Sequence, residues 1–320
     1  MVRVVVAELG KLTLVEDEAL EPGPGQLAVA VGAAGVNYVD GLLVEGRYQI
    51  KPPLPFTPGS EIAGTVSAVG PGVTGFAPGD RVLAMCGFGG FAAHAVINAD
   101  SAVRVPDALD FPRAATFTQS YCTALFALRE RVGLRAGESV LSLGAGSGVG
   151  LAAVQVAKAL GARVLAAASS PEKRAASLAA GASEVVDSAD PEAVKKAARA
   201  FGDGGVDVVF DPVGGELAPV VLRALREFGR YTVIGFTAGI PAVPLNQVLL
   251  RNRSVVGVDW GLWALTGPDR QRALLEDALT MVADGRLDPV APQVRPLADV
   301  AEVIADLQAR RVVGKVALVP

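Results

Sequence analysis

The chain has 320 residues, 51% of them apolar and only 5% aromatic, and its 29 basic and 33 acidic residues leave a net charge of −4. That length exceeds one ordinary core, so two domains are expected, and the composition excludes a disordered chain. No basic block exists to release phosphate counterions, which argues against a nucleic-acid partner.

No apolar run reaches the ~18 residues a membrane span needs, and MVRVVVAELG lacks a signal-peptide layout, so a cytoplasmic protein with no membrane partner is expected. Cys86 and Cys122 are the two cysteines, too few for a disulfide framework, and His94 is the single histidine. A zinc site built from these three would lack the paired spacing that fixes ligand geometry. Buried thiols and a structural histidine are the favoured reading, and no metal ligand is assigned.

In chain order, QLAVAVGAAGV, EIAGTVSAVG, DRVLAMCG and AAHAVINA read as short strands between the turns PGPG, GPGV and APGD. They predict a small barrel. FPRAATFTQSYCTALFALRERV is helical in pattern, with Leu125, Leu128 and Val132 on one face. From residue 139 onward strands and helices alternate. SVLSLG, ARVLAAAS, SEVVDS, DVVFDPVG, GRYTVIGF and SVVGVDW are the strands, and GVGLAAVQVAKALG and SPEKRAASLAAG are the helices. That alternation predicts a parallel sheet covered on both faces. Two amphipathic helices, roughly 268–284 and 297–310, precede the apolar end GKVALV.

The turn between the first strand of this sheet and its helix reads LGAGSGVG, with glycines at 144, 146, 148 and 150. A strand running straight into a helix leaves unpaired N–H groups and a positive dipole end there, and glycines let a diphosphate approach. Tight helix–sheet packing would explain the same glycines. The dinucleotide register is imperfect, because Val149 stands where a third glycine is usual and Gly150 comes one place late. Between Glu138 and Glu172 there is no acidic residue to hold a ribose 2′-hydroxyl. Instead Ser169, Ser170, Lys173 and Arg174 stand at the head of the next helix, a set suited to a 2′-phosphate. NADPH is therefore expected over NADH, although Ser170 followed by Pro171 is also an ordinary helix start.

GVNYVDGLLVEGRY (35–48), FTPGSEIAGTVSAVGPGVTGFAPGDRV (56–82) and GGFAAHAVI (89–97) resemble the medium-chain dehydrogenase/reductase superfamily. Within it the chain resembles the zinc-independent quinone oxidoreductase branch, the zeta-crystallin relatives. YCTALFAL, FDPVGGE, GRYTVIGF, SVVGVDWG and RRVVGKVAL extend the similarity along nearly the whole length. The resemblance implies an α/β fold of two parts: a GroES-like β-barrel catalytic domain over residues 1–118 and 264–320, and a Rossmann-type doubly wound parallel sheet over 119–263.

It also implies site residues. Asn37 and Tyr48 match the pair flanking the nicotinamide and acceptor pocket and are the catalytic candidates. Thr123 matches the hydroxyl at the nicotinamide ribose or carboxamide. Ala145, Gly146, Ser147, Gly148, Val149 and Gly150 would hold the diphosphate, and Ser169 and Lys173 the 2′-phosphate, beside Ser170 at the same helix head. Gly235, Phe236 and Thr237 would end the strand beside the nicotinamide, with Trp260 near a later contact on the last strand. Each has a plainer reading: Asn37 as a turn residue, Tyr48 as packing, Thr123 bonded back within its helix. Glu61, Asp40 and Asp211 read as structural acceptors.

Zinc alcohol dehydrogenases carry Gly-His-Glu where this chain has Gly59-Ser60-Glu61, and a catalytic cysteine near the position of Asn37. Without a Lewis acid, oxidation of an alcohol is disfavoured. An acceptor already electrophilic needs mainly proximity and a partner for its developing oxyanion. The leading expectation is an NADPH-dependent, zinc-independent quinone oxidoreductase. The alternatives are an enone or enoyl-thioester reductase, with Arg47, Lys51 and Arg253 as scattered basic residues for an acyl-CoA, and a non-catalytic NADPH-binding protein. A tyrosine found in some relatives is Leu42 here, so solvent or Tyr48 would donate the proton. The SVVGVDW strand is expected to pair with its twin in a homodimer.

Overall fold

The computed structural model describes residues 2–16, 18 and 20–320. The chain forms two compact units: Met1–Gln119 with Gly267–Leu279 and Ala291–Pro320, and Ser120–Thr266 with Thr280–Val290.

In the first unit, an eleven-residue strand, Gln26–Val36, is the spine of a seven-stranded sheet. Its run of Val and Ala with two glycines is buried on both faces for most of its length. Along one side it pairs antiparallel with Glu61–Val69, which continues to Arg81–Met85 and Ala102–Arg104. On the other side its first half pairs with His94–Asn98 and its last residues with Val316–Val319. Register breaks after Ala28 and Val31 bend it. The curled sheet encloses a core that includes Val6, Leu27, Ile62, Val66 and Leu318, each at most 1% exposed. The helix Val300–Gln308 packs Val303 and Ile304 into the same core. A hairpin of Val2–Glu8 and Lys11–Glu16 forms a separate two-stranded sheet, whose Val4 and Val6 pack into the same core.

The second unit is a six-stranded, wholly parallel sheet in the order Glu184–Asp187, Arg163–Ala168, Ser139–Leu143, Val206–Asp211, Leu225–Val233, Ser254–Gly257. The strand order reverses direction between Ser139–Leu143 and Val206–Asp211, which makes that pair the topological switch point of a doubly wound fold. The helices start where their sequences say. Ser147 accepts from Gly150 N–H, Ser170 from Lys173 N–H and Asp190 from Ala193 N–H, and Pro171 and Pro191 fill first helical positions. Gly148–Ala159 is buried on nearly all sides because it is built of Ala and Val.

Some elements differ from the sequence reading. The stretch 111–132 is broken into Phe111–Ala115, Thr118–Leu125 and a π-helical turn, Phe126–Arg131, with Thr116 Oγ1 bonding back to Pro112 O at the break. An amphipathic helix, Pro191–Phe201, stands between SEVVDS and DVVFDPVG, where no element was expected. Residues 280–290, expected with the barrel, belong to the second unit. Gln155 Nε2 donates to Asp288 O at 2.5 Å, and Val290 N to the Tyr121 hydroxyl at 3.3 Å. Among the described residues, no helix is long and apolar enough to cross a membrane.

Candidate active site

In the second unit, the sequence-predicted cofactor residues gather at the carboxyl ends of the parallel strands. Residues 144–150 follow Ser139–Leu143 at the switch point, Ser169 and Ser170 follow Arg163–Ala168, and 235–237 follow Leu225–Val233. Gly144 has φ +57°, the left-handed value that lets the chain turn out of its strand. A Cβ on Gly150 would lie 2.3 Å from Gly144 O, so this glycine seats the helix on the turn. A Cβ on Gly146 would lie 2.4 Å from Lys173 Cβ. Gly146 thus brings the glycine turn and the first turn of Pro171–Ala179 together. Two of the glycines therefore serve packing, and Ser147 is an internal cap whose hydroxyl donates to Gly144 O at 2.7 Å. What remains for an anion is the first helical turn, where Gly148 and Val149 have N–H groups without intrahelical acceptors, with Lys173 alongside the turn.

Three expectations need correction here. Arg174 is turned towards the neighbouring strands, where its Nη1 donates to Ala168 O at 3.1 Å and pairs with Asp187 at 2.9 Å. Trp260 is not on the last strand. It opens the helix Trp260–Leu265, capped by Asp259, and is 6% exposed. Gly235, Phe236 and Thr237 lie beyond the strand end at Val233, in a turn held by Thr237 Oγ1 donating to Pro212 O.

Thr123, on Thr118–Leu125, is half-buried, and its hydroxyl makes no hydrogen bond with the described residues, so back-bonding does not occupy it. Asp211 accepts from Val213 N and Gly214 N, at 2.7 and 2.9 Å, and from the Tyr231 hydroxyl. Burial raises the pKa of both Asp211 and Tyr231, and the pair anchors the loop whose Val213 borders Gly144.

In the first unit Asn37 lies in a buried polar cluster. Its Nδ2 donates to Glu61 Oε1 at 2.9 Å, and Lys315 Nζ donates both to Asn37 Oδ1 at 2.5 Å and to Glu61 Oε1 at 2.9 Å. Gln119 N donates to Glu61 Oε2 at 3.0 Å, and Asn37 N to Asp40 Oδ2 at 2.7 Å. Glu61 and Asp40 are structural acceptors here. Asp40 is fully buried, and desolvation pushes its pKa up to about 7 against the opposing pull of Lys315 and the Asn37 N–H. Burial pushes the Cys86 thiol up to about 12. Tyr48 lies half-buried, beyond the end of the helix Tyr38–Val44. Lys315 was missed by the sequence reading, although the motif that contains it, RRVVGKVAL, was not.

The residues do not fit a metal ion. Where zinc alcohol dehydrogenases carry a cysteine and a histidine, this chain has Asn37 and Ser60; Ser60 Oγ donates to Gln119 Oε1, and Asn37 and the neighbouring Glu61 are bridged by the Lys315 ammonium, whose charge would oppose a cation. Among the described residues, no three His, Cys, Asp or Glu side chains group as a metal site. Of the basic candidates for an acyl-CoA entrance, Arg253 is committed: it is 7% exposed and donates to Leu225 O and Gln247 O, whereas Arg47 is exposed and pairs with Glu45 at 2.9 Å.

Family models for an alcohol dehydrogenase GroES-like domain and a zinc-binding dehydrogenase match residues 23–107 and 148–278. The chain is 35% identical over 315 residues to the quinone oxidoreductase-like protein 2 of Bos taurus, covering 98% of this chain and 90% of that one. A quinone oxidoreductase of Escherichia coli, complexed with NADPH, superposes with a TM-score of 0.90 at 28% identity over 100% of both chains. A structure described as an NAD-dependent alcohol dehydrogenase superposes with a TM-score of 0.91 at 32% identity, again over 100% of both. From the sheet order, the two matched domains and this full-length similarity, the chain belongs to the medium-chain dehydrogenase/reductase superfamily, as an oxidoreductase of its quinone oxidoreductase-like group.

Proposed function

We propose that the protein is a zinc-independent, NADPH-dependent reductase of quinones. The observation that carries the cofactor half is the glycine turn at the switch point, packed through Gly146 against Lys173, with no acidic residue between Glu138 and Glu172. The N–H groups of Gly148 and Val149 hold the diphosphate at the positive end of their helix. Lys173 and the exposed Ser169 receive the 2′-phosphate, and Thr123 offers its free hydroxyl to the nicotinamide portion. When bound, NADPH supplies a hydride. The protein's part is to orient the acceptor and to meet the oxygen charge that develops on it, the work assigned to Asn37 and Tyr48.

A quinone is favoured as acceptor because it is electrophilic without a Lewis acid, and the Lys315 ammonium bonded to Asn37 and Glu61 would oppose a cation there. The E. coli quinone oxidoreductase complexed with NADPH supports the same reading. The enoyl-thioester alternative is weakened by Arg253, whose guanidinium is spent on backbone carbonyls. A homodimer is proposed through the edge strand Ser254–Gly257, which pairs on one side only and exposes Val255.

Equilibrium binding of NADPH and NADH tests the cofactor assignment. NADPH binds more tightly, and Lys173→Ala weakens NADPH about tenfold or more while leaving NADH nearly unchanged, the loss of one charge-assisted contact. Equal affinities of the wild-type protein for the two cofactors would overturn the 2′-phosphate assignment.

A further inference from the structure

Asn37 is 8% exposed, and both ends of its amide are spoken for by groups that permit only one orientation. An ammonium can only donate and a carboxylate accepts, so Lys315 demands Oδ1 and Glu61 demands Nδ2. The usual ambiguity between the two ends of an asparagine is therefore removed by chemistry. Nδ2 has two hydrogens, one on Glu61 Oε1, and the second meets no acceptor among the described residues.

The arrangement is built by strand register. Gly35 pairs opposite Glu61 and Val36 opposite Val316, so the residues just past these pairs, Asn37 and Lys315, come alongside each other at one end of the sheet. Gly35 has no Cβ, and one built there would lie 2.7 Å from Glu61 Oε1 and 2.2 Å from Ala115 O. Gln119 N holds the other carboxylate oxygen at 3.0 Å, which keeps Glu61 from turning away. The side chains of Lys315 and Glu61 are 11% and 1% exposed, so the pair is held out of solvent.

We propose that Lys315 is a positioning residue which, with Glu61, fixes Asn37 as a hydrogen-bond donor towards the acceptor oxygen. This rests on the assignment of Asn37 to the site. A preoriented N–H complements an oxygen that gains negative charge as hydride arrives, whereas a flipped amide would present a second oxygen and repel it. Lys315 acts through Asn37 and does not itself touch the acceptor.

The test is a set of variants read in two ways. Lys315→Met leaves the buried Glu61 without its counter-ion, so the decisive variant is Lys315→Met with Glu61→Gln, which removes both charges and allows Asn37 either orientation. Lys315→Arg keeps a cationic donor. With NADPH and a quinone, the double variant loses kcat at least tenfold with KM for NADPH within about twofold, and Lys315→Arg retains most of kcat, since a misplaced oxyanion donor costs on the order of 100-fold. If Lys315 only neutralises Glu61, the double variant turns over at the wild-type rate, and the proposal is overturned.

The second readout needs no turnover. The chain's asparagines are Asn37, Asn98, Asn246 and Asn252, so nitrogen-15 labelling of asparagine gives a sparse side-chain amide spectrum. The pair absent in Asn37→Ala is two well-separated proton resonances in the wild type and shifts or broadens in the double variant. An unchanged pair would overturn the positioning role. If Asn37→Ala turned over like the wild type, the assignment of Asn37 to the site would fall, and the resonances would still decide whether Lys315 holds the amide.

Discussion

Asp40 carries the clearest pH consequence of any single residue. One carboxylate oxygen accepts from Asn37 N and the other has no hydrogen-bond partner, while burial pushes the pKa up to about 7 from 3.8. Lys315 faces it with an opposing charge and Glu61 with a like one. Because the folded-state pKa is raised above the unfolded one, the folded protein holds this proton more tightly. The stabilisation is fully present below the unfolded pKa and is lost as pH rises through about 7. The loss is on the order of 4 kcal/mol. Urea unfolding at a series of pH values from mildly acid to mildly alkaline should therefore show stability falling with pH in the wild type, and a flatter profile in Asp40→Asn. Parallel profiles would contradict the account. At this scale a motif drew attention to Asn37, which lies in a buried polar cluster with Glu61 and Lys315. Lys315 was not legible in the sequence, because its partner lies 278 positions away and only strand register joins them. Arg174 misled for the same reason: its partner Asp187 belongs to a neighbouring strand.

At the scale of elements, period and capping made most of the second unit readable. Short apolar runs became strands, and Ser170 and Pro171 fell where a helix start was expected, while Ser147, read for the diphosphate, caps its own helix. Trp260 was misplaced because an Asp259 cap turns the chain into a helix just past the last strand, a local choice that the apolar run SVVGVDW conceals. That strand, Ser254–Gly257, is also where an element has a consequence for assembly. It is the last in the sheet order, and Val255 is 43% exposed on it, an edge of the kind that invites pairing. Light scattering across a concentration series should show a dimer for the wild type, and Val255→Lys should shift it towards monomer without loss of helix content. A wild-type protein that stays monomeric throughout would remove the homodimer from the account.

At the scale of the molecule, the change from Gly- and Pro-punctuated strands to alternating strands and helices marked the passage from one unit to the other. The return was harder to see. The helix Pro268–Ala283 is followed by residues 284–290, whose hydrogen bonds to Gln155 and Tyr121 tie them to the second unit, and no compositional shift announces that. The proposed function has two halves: a glycine turn that would hold NADPH, and the Asn37 cluster, which would meet an oxygen that gains charge. Turnover by the purified protein tests both together: NADPH consumption followed by absorbance, with a simple quinone and an α,β-unsaturated ketone in parallel. The account predicts rapid consumption with the quinone, unchanged by a chelator, and much slower consumption with the ketone. Preference for the ketone, loss of activity with the chelator, or no consumption with either acceptor would contradict it.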